Sequence, residues 1–157
     1  MNKVPLLSNR FKKVGWVLLI VAILFRIADS VLDIDSEIFT FNVLSIVSAR
    51  GLEEGSWFTV HQEDISYTLF SCLFIGGGLL IMFSKERAED EFIQSLRMNA
   101  LMWSILVHFV LLMIAFLGVY GLPFLGVVFY NTYTVLVIFI LRFYYLLHKN
   151  GVLSSEK

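Results

Sequence analysis

Five polar side chains interrupt two of the most apolar stretches of this chain. His108 lies in the run 99–120 with Ser104 one helical turn before it, and Tyr130, Asn131 and Thr134 lie in the run 124–147. Histidine is the side chain whose ordinary pKa sits nearest neutrality, so it can relay a proton. Amide and hydroxyl groups can hold a small solute or join helices by hydrogen bonds. If the two runs are antiparallel helices, His108 comes to mid-depth and Asn131 to a similar level. Thr68 and Ser71, in an earlier apolar run, add polar groups toward the same end. The five residues are therefore a candidate intramembrane site. It is either a pocket for a small ligand or proton that opens outward, or a set of interhelical hydrogen bonds.

Other chemistries find less support. Cys72 is the only cysteine, so no internal disulfide forms and no CxxC is present. There is no HExxH, no GxSxG and no Cys–His pair at a recognisable spacing, which argues against an enzyme. Asp33, Asp35 and Glu37 begin like a calcium loop. Ile38 then stands where glycine is needed, and Leu44 where the bidentate glutamate should be. His61, Glu63 and Asp64 have no metal-binding spacing. Glu86, Glu89, Asp90 and Glu91 include neighbours that point different ways on a helix, and no histidine accompanies them. No metal and no cofactor is expected. The formal net charge of −1 gives no general attraction to nucleic acid.

The elements that must position these groups follow from composition. Of 157 residues, 58% are hydrophobic, gathered into long runs. A helix needs about 20 residues to cross the hydrocarbon of a bilayer. The runs 14–32, 65–83, 99–120 and 124–147 meet that length, which predicts an all-α membrane protein, a four-transmembrane-helix bundle in one domain. The first run follows Arg10, Lys12 and Lys13 and lacks a small-residue cleavage site, so it reads as an uncleaved anchor. Arg26 toward its far end can pair with Asp29, and Arg142 near the end of the fourth run can snorkel. Basic residues cluster in the N-terminal segment, in the loop holding Lys85, Arg87 and Arg97, and at the C-terminal end, whereas residues 33–64 hold only Arg50. Loops rich in Lys and Arg stay in the cytoplasm, which predicts both termini inside and 33–64 outside.

Within 33–64, residues 37–47 alternate, with Phe39, Phe41 and Val43 on one face. Residues 56–62 form a second strand candidate, and Gly51 and Gly55 between them suit a turn. This predicts a small extracytoplasmic β-hairpin. Gly76–Gly78 permits close helix approach, and "GLPF" at 121–124 predicts a tight turn.

The stretch "FSKERAEDEFIQSLR" carries the densest charge. Ala88, Phe92, Ile93 and Leu96 fall on one helical stripe. Lys85–Glu89 and Arg87–Glu91 are spaced as i,i+4 pairs, and Ser84 is a candidate N-cap. The pattern predicts a cytoplasmic helix over 85–97 that runs unbroken into the third span. Ala88, Glu89, Glu91, Phe92 and Leu96 are its candidate partner contacts. The bland alternative packs the stripe on the N-terminal segment or the membrane surface.

The motif FSKExxEDEFIxxLR, followed by an apolar span with an early Trp103, resembles a family of small uncharacterised bacterial four-helix integral membrane proteins; "FYNTYTVLVIFILRFYYLL" at 129–147 resembles their last span. The resemblance implies a multi-pass protein of the bacterial cytoplasmic (inner) membrane. Such proteins are often encoded beside small helix-turn-helix regulators, which implies a regulatory partnership by association. Together these features suit a non-catalytic membrane protein that senses, regulates or scaffolds, touching a cytoplasmic partner through 85–97. The alternative is a small-solute or ion channel or transporter acting as a homo-oligomer.

Overall fold

The computed structural model describes residues 6–32, 39–48, 56–87 and 89–152. Its elements are α1 (Asn9–Leu32), β1 (Thr40–Ser48), β2 (Ser56–Asp64), α2 (Ser66–Phe83), α3 (Glu91–Gly118) and α4 (Leu122–Lys149). All four helices are long and apolar enough to cross a membrane. Large apolar side chains stay exposed along each of them, including Leu24, Leu79, Phe109 and Leu141. Such a surface is an association hazard in water and is matched to lipid. The four helices agree with the expected spans; α1 and α3 begin earlier than those spans, at Asn9 and Glu91, α3 ends slightly earlier, at Gly118, and α4 runs slightly past its expected ends, over Leu122–Lys149.

The chain forms two compact units. One comprises Ile20–Leu73: the second part of α1, the strands and the start of α2. β1 and β2 pair antiparallel, from Thr40 opposite Asp64 to Ser48 opposite Ser56. This is the expected hairpin, with each strand ending slightly later than predicted; Gly51 and Gly55 of its expected turn lie outside the described residues. Phe58, at φ 52, interrupts the ladder between the pairs Ser45–Thr59 and Val47–Trp57. Phe39 sets its ring edge-on to Phe25 at 5.2 Å. Asp64 accepts a hydrogen bond from the Ser66 backbone N–H at 2.8 Å and another from its hydroxyl, a local Asx turn that starts α2. Arg26 pairs with Asp29, as the spacing predicts, and also donates to the Tyr67 hydroxyl at 3.0 Å.

The other unit holds Met1–Leu19 and Phe74–Lys157. Here α1 and α2 touch through glycine. A Cβ on Gly77 would lie 2.8 Å from the Gly15 carbonyl oxygen and 2.9 Å from the Leu19 nitrogen, so only glycine fits. Gly78 faces Leu136 of α4 just as tightly. α3 buries Ile93, Arg97, Ala100 and Ser104, spaced four, three and four apart, and α4 buries Leu136, Phe139, Ile140, Phe143 and Leu147. These two stripes are the facing sides of an antiparallel pair. Gly121, at φ 74, makes the turn between them, and Pro123 sits in the first turn of α4, where its missing N–H is not needed.

The charged block departs from expectation. α3 begins at Glu91, not near Lys85, and its N-cap is Asp90, whose carboxylate accepts from the Ile93 N–H at 2.7 Å. Ser84 is not a cap: its hydroxyl donates back to the Leu80 carbonyl, and its backbone lies beside Leu7 in a short parallel bridge. Residues 84–87 and 89–90 are therefore a non-helical connection. The expected helical pairs Lys85–Glu89 and Arg87–Glu91 lose their geometry, because a local propensity yields to contacts made by a distant segment.

Candidate functional site

Two polar regions stand out in the unit that holds α3 and α4. The first lies where α2 ends and α3 begins. The Leu7 N–H donates to the Phe83 carbonyl at 2.8 Å, and the Lys85 N–H returns to the Leu7 carbonyl at 2.9 Å. Asn9 adds its side-chain amide to the Lys85 carbonyl at 2.8 Å. The segment ahead of α1 is thus stitched to the segment after α2 along the backbone.

Charges complete this knot. Lys12 meets Glu86 at 2.5 Å, and both side chains are largely buried. The Lys12 ammonium also lies 4.9 Å from the centre of the Tyr144 ring, and the Tyr144 hydroxyl accepts from the Trp16 indole at 3.2 Å. Glu89 accepts from the Glu86 N–H at 2.8 Å and from Arg97 at 2.9 Å. The Arg97 guanidinium lies 5.3 Å from the Phe143 ring centre, which helps hold a cation in a nearly water-free place. Arg142 sits over Trp103 at 5.2 Å, an aromatic seat consistent with an anchor at the end of a span.

This bears on the expected partner contacts. Glu89 turns inward and is occupied by Arg97. Leu96 is half-buried, Glu91 is exposed, and Phe92 keeps 48% of its surface exposed. Ala88 lies outside the described residues. The sequence reading missed Lys12, Trp16, Glu86, Arg97 and Tyr144 as a working set. One signal was present: Asp90 followed by Glu91 and Ile93 makes as good a helix start as Ser84.

The second region lies in the half of α3 and α4 nearer their connecting turn. Tyr130, Asn131 and Thr134 line a groove of about 570 Å³ together with Leu111, Pro123, Gly126 and Val127. The Tyr130 hydroxyl, the Asn131 amide and the Thr134 hydroxyl have no hydrogen-bond partner among the described residues. The structure therefore gathers three of the five candidate residues and leaves two apart. Ser104 is fully buried and donates to the Leu101 carbonyl at 2.8 Å. His108 is half-buried with its ring against Phe109, and its Nδ1 is enclosed without a partner. Ser71 donates to the Tyr67 carbonyl at 2.6 Å.

Among the described residues, no three His, Cys, Asp or Glu side chains gather around a point that could hold an ion. Asp33, Asp35, Glu37 and the side chain of His61 lie outside what is described. Chemically, the first region is a clamp of paired charges, in which Glu89 Oε1 and the Arg97 Nε and Nη1 still lack hydrogen-bond partners among the described residues, and the second is an unpartnered polar seam in an apolar wall. No known protein family, curated protein or solved structure matches the chain.

Proposed function

We propose that this chain is a non-catalytic protein of the bacterial cytoplasmic membrane, threaded with both termini inside and the hairpin outside. It senses, regulates or scaffolds by presenting the start of α3 to a cytoplasmic protein. One observation carries the reading: Phe92 is exposed beside exposed Asp90 and Glu91, while Ile93 and Arg97 of the same turns are buried. A large aromatic is thus held at a fixed angle on a clamped helix start. Partners bind such surfaces through an apolar anchor, and the flanking acids call for a basic rim around the pocket that receives it.

The test is photocrosslinking from position 92 in intact cells, paired with Phe92→Asp. A defined adduct to one cytoplasmic protein, lost on Phe92→Asp in a correctly inserted chain, supports the proposal. Adducts to lipid alone, or capture unaffected by the substitution, would leave the charged block with a topological role only.

The second reading, an oligomeric pathway for small solutes or ions, is favoured by the unpartnered groups on the α3–α4 groove. Vesicle flux that depends on Asn131 would support it.

A further inference from the structure

We propose that the α3–α4 groove is an interface between two copies of this chain, with α4 of each copy seated in the groove of the other. The two-fold axis runs along the membrane normal. The inference rests on the membrane reading above and goes beyond it.

Unmet hydrogen bonds carry a cost in this groove. Thr134 lies 12 residues beyond Leu122, about 18 Å along α4, well inside a span. Hydrocarbon offers no water, so the Tyr130, Asn131 and Thr134 groups need partners from outside their own chain. A lipid tail supplies none.

The groove is also self-complementary. A two-fold axis along the normal preserves depth, so each residue near the axis meets its own counterpart. Opposed copies of a charged side chain would repel. Amide and hydroxyl groups both donate and accept, so each can satisfy its twin. No Asp, Glu, Lys, Arg or His lines the groove.

The spacing along α4 suits a second helix. Pro123, Val127, Tyr130, Thr134, Val137 and Leu141 recur four, three, four, three and four residues apart. This is a heptad seam, distinct from the buried stripe of Leu136, Ile140, Phe143 and Leu147, and it suits a left-handed crossing near 20°. Gly126 lies beside the seam, and a Cβ there would meet nothing within 4 Å. A second helix can approach the backbone at that point without disturbing the chain's own packing.

The experiment uses the full chain with Cys72→Ser, reconstituted in vesicles over a range of lipid dilutions. Single-molecule photobleaching reads the oligomeric state, and disulfide formation reads the face. Two-step bleaching is expected, with Thr134→Cys crosslinking to itself far more than Leu125→Cys on another exposed face of α4. Asn131→Leu should raise the dimer dissociation constant by roughly tenfold, the order expected for losing two interhelical hydrogen bonds. Gly126→Ile should disrupt pairing while leaving the melting curve of the monomer unchanged.

Single-step bleaching at every dilution would overturn the proposal. So would equal crosslinking at the two cysteine positions, an Asn131→Leu variant that pairs normally, or a photocrosslinker at 134 that captures a lipid or a different protein instead of a second copy. A chain that washes off the vesicles at alkaline pH would overturn the membrane reading, and this interface with it. A chain that stays in the vesicles as a monomer would overturn the interface alone.

Discussion

Where α2 gives way to α3, Ser84, Glu86, Glu89 and Arg97 are enclosed and each meets a partner within the chain, although Glu89 Oε1 and the Arg97 Nε and Nη1 do not. Along the α3–α4 groove, Tyr130, Asn131 and Thr134 meet none among the described residues. Both regions put polar groups into an otherwise apolar helical unit. The first uses full charges, and it can, because a backbone bridge, a second carboxylate and two aromatic rings converge on them. The second uses only neutral groups, which are the ones an apolar wall can carry until a partner arrives. Charge is placed where its counter-charge is part of the same fold. Hydrogen-bonding capacity without charge lies where, at the proposed interface, a second copy would complete it.

The first region breaks most severely at Gly77. Gly77→Val sets a side chain against the Gly15 carbonyl and the Leu19 backbone, and neither can yield. Parting α1 from α2 also pulls Lys12 from Glu86. A loss of about 4 kcal/mol or more is expected, or failure to assemble, read as thermal melting in detergent.

Glu86→Ala strands the Lys12 ammonium in a largely buried place and should destabilise by about 3 kcal/mol. Lys12→Met with Glu86→Leu should recover most of that, since a buried pair often exchanges for apolar residues at little cost. Equal melting points for the single and double variants would mean that the ion pair is not what holds this end.

Asn131→Leu should change the melting of the monomer by no more than about 0.5 kcal/mol, because no partner among the described residues is lost. A loss comparable to that of Glu86→Ala would erase the distinction between the two regions.

The smallest effect belongs to Asp64, at the exposed start of α2. Hydrogen bonds from the Ser66 hydroxyl and backbone N–H hold its carboxyl below the usual carboxylate range. Its support of the turn is therefore complete above the unfolded value of about 3.9 and fades as pH falls through the lower folded value. An NMR titration should place the Asp64 midpoint below about 3.9, and Asp64→Asn should remove that titration from the Ser66 amide. A midpoint at or above the ordinary value would show that an exposed bond here contributes nothing.

The long apolar runs made the four helices legible, and alternation made the hairpin legible, because both patterns are local. The start of α3 was not. Ser84 and Asp90 satisfy the same capping rule, and the choice between them is made by Leu7, far away in sequence. Lys12 and Glu86 are separated by 74 positions, so neither residue announces the other. The groove was half legible. Tyr130, Asn131 and Thr134 share a face by helical spacing alone, whereas His108 and Ser104 were grouped with them by depth, which does not fix direction around a helix.

The bridge between Leu7 and Ser84 also bears on how the chain is made. The segment ahead of α1 and the segment after α2 must face the same compartment, so two crossings separate them whichever way the chain is threaded. Asn9 and Lys85 lie 76 positions apart. At ribosomal speeds of about 5–20 residues per second, that leaves roughly 4–15 s in which the early segment has been synthesised and its tether has not. An enzyme that needs the Leu7 backbone unpaired would find it so only during that interval, in the nascent protein rather than the finished one.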